Sequence, residues 1–428
     1  MLLMCRMLEE EDRLDHRPMS ATRKCDVLIA GAGPAGLATA LYLLRSRPDL
    51  RGRVVAIEKS AHPRFKTCAG GLIPKTIVAL QELGIPLDVP SVTVTASMAR
   101  TVVGDALVRR EEPVGTVIRR DEFDAMLARA AREAGLEIVQ HCRVLDVAQN
   151  RDTVRIATEH GDLEAPVLVG ADGSGSVVRK IAFGRGKEAV GRALMADVPI
   201  DPARAVEFSE QCYRFDFRCV VGGIRGYAWS FPCIVDGKPH LNVGIYDQYP
   251  RESHETNGEQ AAMLRELQQA FPDLPLSGLR DRTMSFRAFP IRWFDKRDRY
   301  VTGRVMLAGD AAGVDPLMGE GISCAFEHGK LAAHAITELL GGGTQALAAY
   351  DRELHSGAIG WKLRKLAFAA RRFYGPRHRM YFRLAGISRK AQAVGVDWYN
   401  GADNLDELPV RALIGKWLRA LMFDSPIR

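Results

Sequence analysis

The sequence predicts an α/β fold in three parts: an α/β domain assembled from separated stretches, a β-rich domain and a helical C-terminal extension. Three observations predict it. A short apolar strand at 26–30 runs through a Gly-rich turn into a segment with helical spacing. Two later strands, Val167–Val169 and Val305–Ala308, also run into Gly-rich turns. Between them, 213–218 and 226–234 alternate with period two beside an Asp-Gly turn, the pattern of an antiparallel sheet.

Hydrophobic residues at 47% and charged residues at 26% are the balance of a globular chain with a core, which excludes collagen-like and disordered classes. The mean hydropathy is −0.10, and no apolar run approaches the ~18 residues of a membrane span. Eight Cys form no CxxC and show no zinc-ligand spacing with His, so neither a disulfide framework nor a metal site is expected. That usage fits a reducing, cytoplasmic location. The apolar stretch within Met1–Leu8 is too short for a signal h-region and runs into Glu9–Asp12. Residues 1–22 are therefore expected to be a disordered leader, with Met19 an alternative first residue.

The net charge of +7 is concentrated at one end: residues 351–428 carry 15 Lys/Arg against 7 Asp/Glu. This argues against nucleic acid as a partner and for one basic face. Within it, 361–390 hold ten Lys/Arg and no Asp/Glu, interleaved with aromatic and aliphatic residues. The expected elements are short amphipathic helices broken near Gly375-Pro376 and Gly401. They are read as a solvated basic face, or as a docking site for an acidic peptide or small protein, for phospholipid headgroups in peripheral membrane contact, or as a rim around a substrate entrance. Removing 361–428 is expected to spare the nucleotide site.

The strongest motif is GAGPAG, Gly31 to Gly36. Gly31 permits the tight turn, Gly33 lets backbone approach a pyrophosphate, Pro34-Ala35 open the helix, and Gly36 lets helix and strand pack closely. The phosphates would meet the free N–H groups of the helix start. The next strand, 53–57, ends in Glu58-Lys59, 22 residues after Gly36. An acid there suits a ribose 2′-OH and repels a 2′-phosphate, so FAD or NAD is favoured over NADP. Together these describe a Rossmann-like domain binding an adenine dinucleotide.

The segments GADGSGSVVRK from Gly170 and LAGDAAGVDPLMGEGI ending at Ile322 resemble the later fingerprints of FAD-dependent oxidoreductases of the p-hydroxybenzoate hydroxylase fold, in a Rossmann-like FAD domain of glutathione reductase type. The resemblance spans about 25–345. It implies that Gly309-Asp310 binds the ribityl chain of FAD, that Asp172 holds the pyrophosphate region, and that the helix start at Gly319, Gly321 and Ile322 faces the flavin N1–C2=O edge. A helix N-terminus stabilises anionic reduced flavin there. It also implies that Arg120 approaches the flavin and that Val144 lies against the adenine. PRFKTCAGGL (63–72) and YAWSFP (227–232) resemble the geranylgeranyl reductase-like branch. Its loop would bring Cys68 and Gly70 to the flavin, with Cys68 a catalytic candidate. Tyr227, Trp229 and Phe231 share one strand face and are expected to wall the substrate pocket.

The implied boundaries are 23–85, 105–185 and 282–345 for the FAD domain, 86–104 and 186–281 for the β-rich substrate domain, and 346–428 for the basic extension. Three activities are consistent with the resemblance. One is a monooxygenase: NAD(P)H reduces FAD, O2 forms the C4a-hydroperoxide, and an electron-rich ring is hydroxylated. The second is reduction of an isoprenoid double bond. The third is a flavin-stabilised, non-catalytic assembly partner. In size, core and basic extension the chain is similar to the flavoproteins that hydroxylate a peptidyl tryptophan in quinohemoprotein amine dehydrogenase maturation.

Overall fold

Short runs of aliphatic residues, buried along their whole length, form the central sheet: Val27–Ala30, Val54–Ile57, Leu168–Gly170 and Val305–Leu307. Strands that read as continuous apolar runs are those covered on both faces. The computed structural model describes residues 22–184, 190–248, 256–274, 286–386, 388–401 and 408–422, so the leader expected at 1–22 falls almost entirely outside the described residues. In it the strands of this sheet run in the order 301–302, 305–307, 168–170, 27–30, 54–57, 137–139. All neighbours are parallel except the first pair. Helices Pro34–Ser46, Arg120–Glu133 and Ile322–Leu340 pack against it. The meander 144–165 adds Val154, Ile156 and Leu163 to the same core.

A seven-stranded sheet carries the other half of the site. Its order is 287–292, 190–199, 238–247, 226–235, 212–216, 96–101, 104–109. The hairpin 226–235/238–247 turns at Asp236-Gly237, both at positive φ (49° and 72°), as the Asp-Gly signal predicts. The period-two pattern divides the faces. Tyr227, Trp229 and Phe231 point one way with Tyr213 and Phe215. Ala228, Val243 and Ile245 point the other, into a separate core closed by Met263, Leu267 and Phe271 around the helix Thr256–Ala270.

Long-range pairing moves two seams of the sequence-based domain boundaries. The strand Gly104–Arg109 pairs with Ala96–Thr101, and Arg287–Arg292 pairs with Val190–Pro199. Both therefore belong to the seven-stranded sheet and not to the nucleotide-binding part.

The C-terminal segment forms helices 346–356, 358–373, 378–386, 389–400 and 410–422. They do not stand apart. Arg110 makes a two-pronged pair with Asp397 at 2.8 and 2.7 Å, fixing helix 389–400 to the end of an edge strand. Among the described residues no helix is long and apolar enough to cross a membrane, and no cluster of side chains could hold a metal ion.

Candidate active site

One continuous cavity of about 1360 Å³ runs from the Gly-rich turn, between the two sheets, to the C-terminal helices. Every site residue expected from sequence lines it except Gly36. Gly36 acts behind the wall: a Cβ there would fall 2.0 Å from the Gly31 carbonyl oxygen. Gly31 itself sits at φ +99°, and a Cβ would meet the Ala171 carbonyl at 2.4 Å. Gly33 differs. A Cβ there meets only the Arg64 guanidinium, at 3.4 Å, because the position faces the cavity.

The first turn of helix Pro34–Ser46 has no side-chain cap, so its amides stay available to an anion. Glu58 closes the adjacent edge, accepting hydrogen bonds from Ala32 N (3.0 Å) and Ser60 N (3.1 Å). Arg64 was not read from sequence. It lies 3.5 Å from Glu58 and 3.3 Å from Asp124, and its buried Nε has no hydrogen-bond partner. A cradle of open amides, a ribose-seeking acid and an unsatisfied guanidinium beside Gly33 fits a pyrophosphate-bearing dinucleotide. Lys59 lies on the exposed rim, and Val144 lines the end of the cavity beside Glu58 and Cys142.

Asp172 lines the cavity and also bonds to the segment that follows it. Its carboxylate accepts from Ser176 Oγ (2.5 Å), Val177 N (2.7 Å) and Val178 N (3.1 Å). It is engaged at the start of a short helix while lining the cavity; desolvation raises its pKa against those bonds. Arg120 lines the cavity too, but its guanidinium is gripped by Asp124 at 2.8 and 3.0 Å. Burial opposes its charge; Asp124 and the neighbouring Cys68 thiol more than restore it.

Asp310 sits on a 3-10 turn, Gly309–Ala311, with one oxygen taking a hydrogen bond from Ser174 Oγ (2.9 Å). The turn is held from below: Gly309 N donates to Nδ1 of His328 (3.0 Å). Burial lowers the His328 pKa to about 4, so the ring is a neutral acceptor. The loop 315–321 forms the floor. Asp315 accepts from Leu317 N (2.6 Å), Met318 N (3.1 Å) and the Tyr399 hydroxyl (2.9 Å). Tyr374 donates to the Leu317 carbonyl (2.6 Å), and Tyr227 to that of Met318. At the helix start at Ile322, Glu320 accepts from Ser323 N (2.7 Å) and Oγ (2.6 Å). Burial raises the pKa of both Asp315 and Glu320.

Above the floor stands an aromatic wall. Tyr213 and Phe231 have centroids 4.4 Å apart, Phe215 and Phe231 5.2 Å, Phe215 and Tyr227 5.5 Å. Trp229 donates to Asn242 Oδ1 (2.8 Å), so its indole is fixed. The Tyr213 hydroxyl is buried without a partner. Helix 378–386 completes the wall through Phe382, whose ring centroid is 5.6 Å from that of Phe217. Cys68 lies in the opposite lip; its backbone amide points at the Met195 sulfur (3.1 Å) and its own sulfur accepts from Gly70 N (3.4 Å).

Residues 24–364 match the model of the FAD binding domain family. The chain belongs to that family. As an FAD-binding protein it is 28% identical over 348 residues to the digeranylgeranylglycerophospholipid reductase of Methanothrix thermoacetophila, covering 77% of this chain and 82% of the relative. A geranylgeranyl bacteriochlorophyll reductase-like structure from Thermoplasma acidophilum superposes with a TM-score of 0.71 at 19% identity, over 94% of this chain and 98% of the other. The p-nitrophenol 4-monooxygenase of Pseudomonas putida gives a TM-score of 0.61 at 20% identity, over 92% and 99%. The last two show a shared fold, that of p-hydroxybenzoate hydroxylase and geranylgeranyl reductase. The cradle, Glu58 and Asp310, expected from sequence to meet the pyrophosphate, ribose and ribityl chain of FAD, all line this one cavity.

Proposed function

We propose that this flavin-dependent oxidoreductase is a monooxygenase that uses NAD(P)H and O2 to hydroxylate an electron-rich aromatic ring. The suspected substrate is a tryptophan of an acidic peptide or small protein, modified during tryptophylquinone cofactor biogenesis. The observation that carries the reading is the aromatic chamber beyond the flavin floor. Six rings, of Tyr213, Phe215, Phe217, Tyr227, Phe231 and Phe382, face one space. Rings so placed favour a flat aromatic guest by about 0.5–1.5 kcal/mol per well-oriented pair. The cavity is also larger than the ~300–1,000 Å³ of an ordinary ligand site, which leaves space for a second ligand beside the dinucleotide.

Bound FAD would supply two-electron reduction and oxygen activation. The chain's own residues do the remainder. The wall excludes water from the ring being oxidised. The unpartnered Tyr213 hydroxyl offers a hydrogen bond to a guest. The segment 361–390 carries ten Lys/Arg and no Asp/Glu, and its exposed Arg383 lines the cavity; this excess of positive charge would draw an acidic polypeptide. Reduced protein would be mixed with oxygen and the co-purifying partner, and the partner weighed. A gain of one or two oxygen atoms on a tryptophan supports the proposal; an unaltered partner with oxygen consumed only to H2O2 sinks it.

One observation favours a second reading, reduction of an isoprenoid double bond. Trp361, Phe368, Met380, Leu384, Ile414 and Leu418 are exposed on the C-terminal helices. Such a face suits a lipid surface, and the relative from Methanothrix is named as a lipid reductase. Anaerobic turnover of a prenyl lipid would select this reading over the first.

A further inference from the structure

We infer that Lys66 is the counter-charge of the flavin site, a cavity-wall amine that takes up a proton when the bound cofactor is reduced. The inference rests on FAD binding and holds for either reaction above.

The placement is the first ground. The segment 64–70 runs along the cavity, with Arg64 at the Gly33 end and Cys68–Gly70 at the aromatic end. Lys66 lies midway. Its Nζ stands 2.9 Å from the centroid of the Phe289 ring, on the seven-stranded sheet, so it spans the gap between the two sheets. The charged and titratable groups facing it are Asp310, which attracts it, Arg120 and Arg64, which repel it, and the Cys68 thiol.

Charge balance is the second ground. Arg64 is shared by Glu58 and Asp124, and Arg120 is held by Asp124. Lys59 and Arg383 stand at the exposed rim. Among the described residues that line the cavity, Lys66 is the inward cation with no carboxylate in ion-pair contact. The floor holds Asp310, Asp315 and Glu320, and Glu320 is already seated at the helix start expected to stabilise reduced flavin. Reduction adds negative charge to a site rich in acids, and Lys66 is the free group of opposite sign. Burial pushes its pKa down to about 8, so the amine is titratable near the working range.

The balance is simple. Near neutrality two electrons and one proton enter the flavin, leaving one added negative charge. Above the lowered pKa of Lys66, about 8, its neutral amine takes a further proton from solvent through the cavity mouth; no other bond changes.

The test is a potentiometric titration of the holoprotein from pH 6.5 to 9.5. Each proton taken up moves a two-electron potential by about 30 mV per pH unit. Wild type is expected to follow about 30 mV per unit below pH ~8 and to steepen toward twice that above it. Lys66→Met should keep the shallow slope throughout and sit at a lower potential at pH 7. Lys66→Arg, which keeps a charge that does not titrate, should also keep the shallow slope but retain the wild-type potential at pH 7. A fully flavinylated Met variant with wild-type potential and slope overturns the inference. Should the Met variant fail to hold FAD, steepening preserved in the Arg variant overturns it equally.

Discussion

The nucleotide cradle and the C-terminal roof of the cavity are built on opposite plans. The cradle is made by neighbours in sequence: Gly31, Gly33 and Gly36 lie in one turn, and Glu58 closes it at the end of the adjacent parallel strand. The roof is made by residues that meet only after folding. Tyr374 reaches Leu317, Tyr399 reaches Asp315, and Lys362 reaches Glu327 at 2.9 Å. Burial opposes the Lys362 charge, but Glu327 holds it protonated. The open face of the cradle at Gly33 can therefore be altered without unfolding the chain, whereas the roof cannot be altered without disturbing the cavity floor.

Deleting 361–428 is the strongest test of that contrast. The sequence alone suggests a docking face whose removal spares FAD; the structure leads to loss of FAD, because Asp315 and the Leu317 carbonyl lose their tyrosine partners and Glu327 loses its lysine. Flavin content per chain after gel filtration measures it, and a truncated protein retaining full flavin would break the comparison. Gly33→Val comes next. Its side chain meets only the flexible end of Arg64, so circular dichroism should be unchanged while FAD affinity falls about a hundredfold or more, ~2.7 kcal/mol. Gly31→Val should instead unfold the protein, since φ +99° and the Ala171 carbonyl leave no place for it.

A third, smaller effect concerns pH. The buried His328 has a folded pKa of about 4 against 6.5 unfolded. Below pH 6.5 the unfolded chain binds a proton that the folded chain refuses. The stabilisation is thus complete above pH 6.5 and is lost as pH falls through 4, by roughly 3 kcal/mol. Urea midpoints at pH 7 and 4.5 should differ by less in His328→Gln than in wild type. The smallest effect is expected for Tyr399→Phe, which leaves one Asp315 oxygen short of a donor: about 1–3 kcal/mol of stability, read as a lower melting temperature with cradle affinity for ADP unchanged.

The fold class and the cradle were legible because their determinants are contiguous and their spacing has one physical purpose. The aromatic wall was legible because period two puts Tyr227, Trp229 and Phe231 on one face. What pairing over long distances decides was not. Nothing local says that 104–109 and 287–292 join the second sheet, or that Ser174 donates to Asp310 136 residues away. The capping bonds of Asp172 were not read although its surroundings held the signal. An Asp four residues before Ser176, at the start of a short helix, is placed to cap backbone amides. Lys66 was passed over for Cys68, yet Arg64, Lys66 and Cys68 lie within five residues of one cavity-lining segment.

The peptide between Leu317 and Met318 has one carbonyl bound from the roof and the next from the wall. Swinging the terminal helices aside therefore loosens the cavity floor in the same motion. A bulky guest gains nothing from a wide-open door here; it must stay outside and extend a single side group through the gap, while the tyrosine latches remain fastened.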